Sequence, residues 1–178
     1  MTKSRATPFP PHWTVREARD AYLAENGFTV EAYDATWTDA SFLGIRFRVP
    51  NTRRHRWAIM LHDLHHVATG YGTDLAGEGE ISAWELRPGL AGLGPYVGAI
   101  VLLGALAGAL VAPRRARDAW REARAIHSLH DLVPPAEDDA AYEALLDVTV
   151  AELRERVGVP RGGVARAPRK LHDYAPAA

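Results

Sequence analysis

Three of the chain's eight histidines fall within one five-residue stretch, His62-Asp63-Leu64-His65-His66. A helix turns by about 100° per residue, so His66 lies about 40° from His62 and Asp63 about 100°, with His66 between them. His62, Asp63 and His66 therefore share one sector of a helix. Two imidazoles four residues apart can hold a single divalent cation, the geometry used by H-E-x-x-H zinc sites. Such a pair needs further ligands from a second element, and Glu78 is the candidate. Gly70 and Gly72 let the chain fold back at once, and Gly77 and Gly79 on either side of Glu78 allow two backbones to approach closely. Ser82 and Glu85 share the helical face of Glu78 and are candidates to support the ligands. His65 lies about 60° on the other side of His62, so spacing alone leaves open whether Asp63 or His65 completes the set. The chain has no cysteine, so its metal ligands are limited to His, Asp and Glu. Two imidazoles and two carboxylates suit Zn²⁺, and also Mn²⁺ or Fe²⁺. A solvated polar helix face also produces an i, i+4 histidine pair. The added Asp63 and the glycine-bracketed Glu78 tip the reading toward a metal.

The elements needed to position these groups are mostly helices. The chain has 178 residues, 47% apolar and 24% charged, which predicts one folded domain with its own core. Thr14 and Glu17 form a capping-box pattern, and a helix is expected from Val15 to a stop at Asn26-Gly27. Ile45, Phe47 and Val49 alternate with Arg46 and Arg48, the period of a short strand with a solvated arginine face. From about Arg54 to Gly70 the period is helical, with Trp57, Leu61, Leu64 and Ala68 forming an apolar stripe opposite the histidines. Thr73 or Asp74 can cap a second helix running to Leu86. The segment Arg114–Leu132 reads as one amphipathic helix carrying His127 and His130 as surface or hydrogen-bonded side chains. A last helical region holds a second capping box, Thr149 with Glu152, and ends at Gly158. Trp84 and Trp120 are expected in the core or at an interface. The organisation expected is a flexible lead (1–13), a mainly α single helical domain (14–158) and a mobile tail (159–178).

Residues 88–113 contain no charge. A helix from Pro95 to Ala112 would span about 27 Å, close to the hydrocarbon thickness of a bilayer. Gly94 with Gly98, and Gly104 with Gly108, are small-residue pairs that permit close helix packing, and Arg114, Arg115 and Arg117 follow. Three readings compete: a buried core helix, a helix lining a prenyl-chain groove or dipping into the membrane surface, and a spanning helix. The net charge of −1 argues against a nucleic-acid partner recruited by bulk charge. The first 13 residues lack the apolar core of a secretory signal, and the absence of cysteine fits an intracellular protein.

The motif resembles the hallmark of the ubiquinone (coenzyme Q) biosynthesis proteins of the Coq-four type, which is H-D-x-x-H, eleven residues, then E. His62, Asp63 and His66 supply the first part, residues 67–77 the spacer, and Glu78 the close. The stretches "GYGTDLAGE", "AWEL" and "VAELRERVGVP" are also similar to the family. The resemblance covers residues 40–158 and leaves the amino-terminal segment and the polar tail unmatched. It implies a helical, often dimeric protein with one metal ion, usually zinc, on the positions of His62, Asp63, His66 and Glu78. It thereby favours Asp63 over His65. It further implies a cytoplasmic protein peripheral to the inner face of the membrane. The expected partners are a polyprenylated aromatic, quinone-precursor-like lipid or another hydrophobic small molecule, the membrane surface and a second copy of the chain. The reaction it implies is oxidative decarboxylation of the ring, with the ion polarising ring oxygens as a Lewis acid. Two rival readings stand beside it. One is a non-catalytic lipid-binding scaffold in which the ion staples two helices. The other is a zincin-like hydrolase, for which Asp63 is one methylene short of the usual general base.

Overall fold

A computed structural model describes residues 4–5, 8–42, 45–90, 92–125, 127–135, 139–166 and 169–170. The chain is mainly helical, as the periodicity predicts. Strand β1 (Ser4–Arg5) pairs antiparallel with β4 (Arg169–Lys170). Helix α1 (Val15–Asn26) opens on a complete Thr14–Glu17 capping box and ends at Gly27 in the left-handed region. A 3-10 turn, Val30–Asp34, buries Tyr33. An antiparallel hairpin follows, β2 (Trp37–Phe42) with β3 (Ile45–Pro50), Trp37 standing opposite Pro50. The strand period over 45–49 is therefore realised, while Phe47 stays exposed.

Helix α2 (Arg53–Thr69) is capped by Thr52 and stopped by Gly70 at φ 82°. Helix α3 (Leu75–Leu86) is capped by Asp74, whose side chain accepts from the Gly77 amide. Helix α4 (Gly94–Val111) then runs against α3 with the two backbones almost touching. A Cβ on Gly79 would stand 2.2 Å from the Gly108 Cα, and one on Gly104 would stand 2.4 Å from Ser82 Oγ. The Gly104–Gly108 pair thus makes the close helix contact, whereas Gly98 faces Leu90. Only 33% of α4 is buried, so it is not the enclosed core helix of the first reading. Leu102, Leu103, Leu106 and Leu110 lie exposed on its outer side.

Helix α5 (Pro113–Glu122) is shorter than the sequence period suggests. A 3-10 turn, Ala123–Ala125, ends it, and α6 (Leu129–Leu132) starts afresh with Ser128 as its cap. Helices α7 (Ala140–Leu146) and α8 (Val150–Arg156) complete the fold, α8 on the expected Thr149–Glu152 capping box. The starts of α1 and α8 are tied together, Val15 N–H donating to Val148 and Val150 N–H to Trp13, each at 2.9 Å. The core gathers Val15, Leu61, Leu64, Ile81, Trp84 and Leu153 from four helices.

The described parts of the lead and tail belong to this fold. Phe9 is buried, and the buried Arg154 guanidinium donates to the carbonyls of Ala68 (2.9 Å), Phe9 (3.2 Å) and Arg161 (2.6 Å). The amides of Val164 and Ala165 donate to Thr69 O at 2.9 and 3.1 Å. The last carbonyls of a helix have no intrahelical donor, and at the end of α2 these residues supply one. Of the expected flexible lead (1–13) and mobile tail (159–178), residues 8–13 and 159–166 are held against the domain, and residues 1–3, 6–7, 167–168 and 171–178 lie outside the described residues.

Candidate metal centre

The site is built where α2 turns into α3. A Cβ on Gly77 would stand 2.1 Å from the Gly72 carbonyl oxygen, so only a glycine lets this turn close as tightly as it does. The closure returns Glu78 over the His62–His66 pair. His62 Nε2 and His66 Nε2 lie 3.1 Å apart. The Glu78 carboxylate stands 3.4 Å from the first and 3.5 Å from the second.

Both rings are oriented by their other nitrogen. His66 Nδ1 donates to the carbonyl of Tyr71 at 3.2 Å, and Tyr22 from α1 stacks on the ring at 5.4 Å between centroids. His62 Nδ1 donates to Glu85 Oε1 at 3.0 Å. With both Nδ1 atoms donating, a neutral form of either ring keeps its lone pair on Nε2, so it is the two Nε2 atoms and the Glu78 carboxylate that can face a cation together. Three such acceptors together favour a positive charge among them, carried by a proton or by a metal ion. These three residues form a group that could hold a metal ion. The electrostatics show the same pull toward positive charge. Burial opposes charge on His62, yet Glu85 and Glu78 beside it hold its pKa well above the usual histidine value. Burial likewise opposes ionisation of Glu78, but His66 and His62 hold its pKa down at about 2.

Asp63 and His65 part company with the pair. Asp63 is buried and receives the Tyr33 hydroxyl at 2.5 Å, and its carboxylate lies outside the close set of His62, His66 and Glu78. Burial pushes its pKa up, with His62, Tyr33 and His66 pulling the other way. His65 meets the same Glu85 oxygen as His62 but is not among the three groups that converge. Its Nδ1 donates to Glu85 Oε1 at 2.7 Å and its Nε2 accepts from the Leu129 amide at 2.9 Å. His65, Glu85 and His130 also cluster closely, but with both His65 nitrogens committed that cluster has no free imidazole lone pair from His65. The face of α2 opposite its apolar stripe is covered by α1 and α3, which leaves His65 and His66 buried.

Of the two supporting candidates on α3, Glu85 reaches the site and Ser82 does not, being wedged against Gly104. His130 is buried, its Nε2 donating to Ala58 O at 3.1 Å, and burial pushes its pKa down to about 4. His127 is exposed. Trp84 is in the core, and Trp120 is partly exposed with the Arg87 guanidinium 5.1 Å over its ring. Sequence reasoning missed Tyr22, Tyr33 and the Leu129 amide. For Leu129 a signal existed, since Ser128 with Asp131 is an S-x-x-D helix start. The tyrosines carry none. No family model, curated protein or solved structure matches the chain, so what this site can do is read from its own atoms.

Proposed function

We propose that this chain is a metal-binding, membrane-associated protein of the Coq-four type. It binds or acts on a polyprenylated aromatic, quinone-precursor-like lipid, with oxidative decarboxylation of the ring as its reaction. The observation that carries the reading is the convergence of the His62 and His66 Nε2 atoms on the Glu78 carboxylate. Two imidazoles and a carboxylate leave a tetrahedral ion one open position, which suits Zn²⁺ best, with Mn²⁺ or Fe²⁺ also compatible. The Glu78 side chain is 39% exposed, so the centre opens outward. That favours access by an outside ligand over a closed structural staple.

When bound, a divalent ion supplies Lewis-acid polarisation of a ring oxygen. The chain's own residues do the rest of the preparation. His62, His66 and Glu78 hold the cation, Tyr22 fixes the plane of the His66 ring, and Asp63 with Tyr33 keeps a further carboxylate beside the imidazoles. Support for the lipid comes from α4, which is long and apolar enough to cross a membrane and leaves its leucines uncovered. Arg114 and Arg117 follow it, exposed and suited to anionic headgroups, while Arg115 is taken by Glu80 at 2.6 Å. A peripheral position on the cytoplasmic, inner face of the membrane and a homodimeric state complete the proposal. Native mass spectrometry of the chain purified from its own lysate tests it. One divalent ion and a copurifying prenyl lipid are expected, and a chain carrying neither overturns it.

A further inference from the structure

We infer that Glu85 is a positioning residue that fixes the tautomer of His62, and that the Leu129 amide, acting through His65, fixes Glu85. Its consequence for binding rests on the metal reading above, whereas its geometry does not. The chain of reasoning begins at one backbone group. An amide N–H can only donate, so His65 Nε2, 2.9 Å from Leu129 N, must accept. His65 is then neutral, with its hydrogen on Nδ1. That hydrogen goes to Glu85 Oε1 at 2.7 Å, and an ionised carboxylate between two imidazoles only accepts. His62 Nδ1 lies 3.0 Å from the same oxygen and must therefore donate to it. His62 Nε2 is then the nitrogen that faces the centre, 3.1 Å from His66 Nε2 and 3.4 Å from Glu78, and the one that takes a metal ion once it carries no proton.

The side chain of Glu85 is 1% exposed, so water does not compete for Oε1, and Trp84 packs against the His65 ring at 4.9 Å between centroids. Without Glu85 the hydrogen of His62 is free to move to Nε2, where it points into the centre and turns a ligand into a donor. His65, which is not a ligand itself, is thus the link between the start of α6 and the metal pair. Partners of this kind set metal affinity by roughly 10- to 100-fold.

Long-range ¹H–¹⁵N NMR of the metal-free full chain reads the tautomers directly, and competition with a chromophoric chelator reads Zn²⁺ affinity. The wild type is expected to show Nδ1–H on both His62 and His65. Glu85→Ala should shift His62 toward Nε2–H and weaken Zn²⁺ by roughly 10- to 100-fold. Glu85→Gln, whose amide oxygen still accepts, should keep the Nδ1–H tautomer and bind between the two. A wild-type His62 with its hydrogen on Nε2 and none on Nδ1 overturns the inference, and this arm needs no variant to fold. So does a Glu85→Ala chain with unchanged tautomer and affinity. A wild type with the expected tautomers that takes no Zn²⁺ sinks the metal reading and leaves the positioning role standing.

Discussion

Stripping the chain of metal and returning Zn²⁺ should raise its melting temperature, and Glu78→Ala should remove most of that rise. Only the folded state brings His62, His66 and Glu78 together, so an ion bound there stabilises by RT ln(1 + [L]/Kd), about 2.7 kcal/mol at 100 times the dissociation constant. A domain of this length moves by roughly 2–4 °C for each kcal/mol, which gives an expected rise of about 5–11 °C. The Glu78 side chain is 39% exposed and its backbone sits in the first turn of α3, so its truncation leaves the metal-free fold near its original stability. Loss of the ligand itself should weaken binding by at least the roughly 100-fold seen for supporting partners. At the same free Zn²⁺ the variant then retains only about 0.4 kcal/mol, a shift of about 1–2 °C. Scanning calorimetry in a zinc buffer, with chelator-treated protein as baseline, measures both. An equal rise in the two proteins places the ion elsewhere. No rise in the wild type removes the centre altogether.

Other expectations follow from the packing. His130 has a folded pKa of about 4 against an unfolded value near 6.5, so both states are neutral above pH 6.5. As pH falls from about 6.5 to 4 the unfolded chain takes a proton that the folded one refuses, and stability drops by about 3 kcal/mol. Urea midpoints of wild type minus His130→Phe should show that slope, and a flat difference refutes it. Gly108→Ala puts a Cβ 2.4 Å from the Gly79 Cα, backbone against backbone, and should cost roughly 1–3 kcal/mol in urea unfolding despite the better helix propensity of alanine. A variant as stable as wild type would show that α3 and α4 are not in contact there. Leu103→Ser with Leu110→Ser alters side chains that are 59% and 84% exposed, so the fold should be unchanged by circular dichroism. Sedimentation with vesicles containing anionic lipid should fall sharply, and full retention would detach α4 from the lipid proposal.

An i, i+4 histidine pair is common on polar helix faces, and what makes this one a cation site is the second hydrogen bond of each ring. The pair itself, the Gly70 stop, the turn through Gly72 and the return of Glu78 are local, and period and glycine placement read them correctly. The same holds for both capping boxes, where the cap and its acid lie three residues apart. The Nδ1 acceptors are different. Tyr71 O becomes available only because the turn closes, and Glu85 is positioned by contacts with His65 and, through it, with Leu129, which lies 64 residues further along the chain. Asp63 gives the converse case. It occupies the sector expected from the wheel, but Tyr33, in a 3-10 turn without any periodic signature, engages one of its carboxylate oxygens. The broken helix at Ser128 has the same origin: apolar period favoured continuation, while a side-chain cap and the burial of Leu129 and His130 favoured a restart. Spacing along the chain therefore decides which side chains can meet, and long-range packing decides which of their atoms are still free when they do. For a metal centre made of imidazoles that second decision is the chemical one, because a histidine holding its hydrogen on the wrong nitrogen is in place and cannot bind.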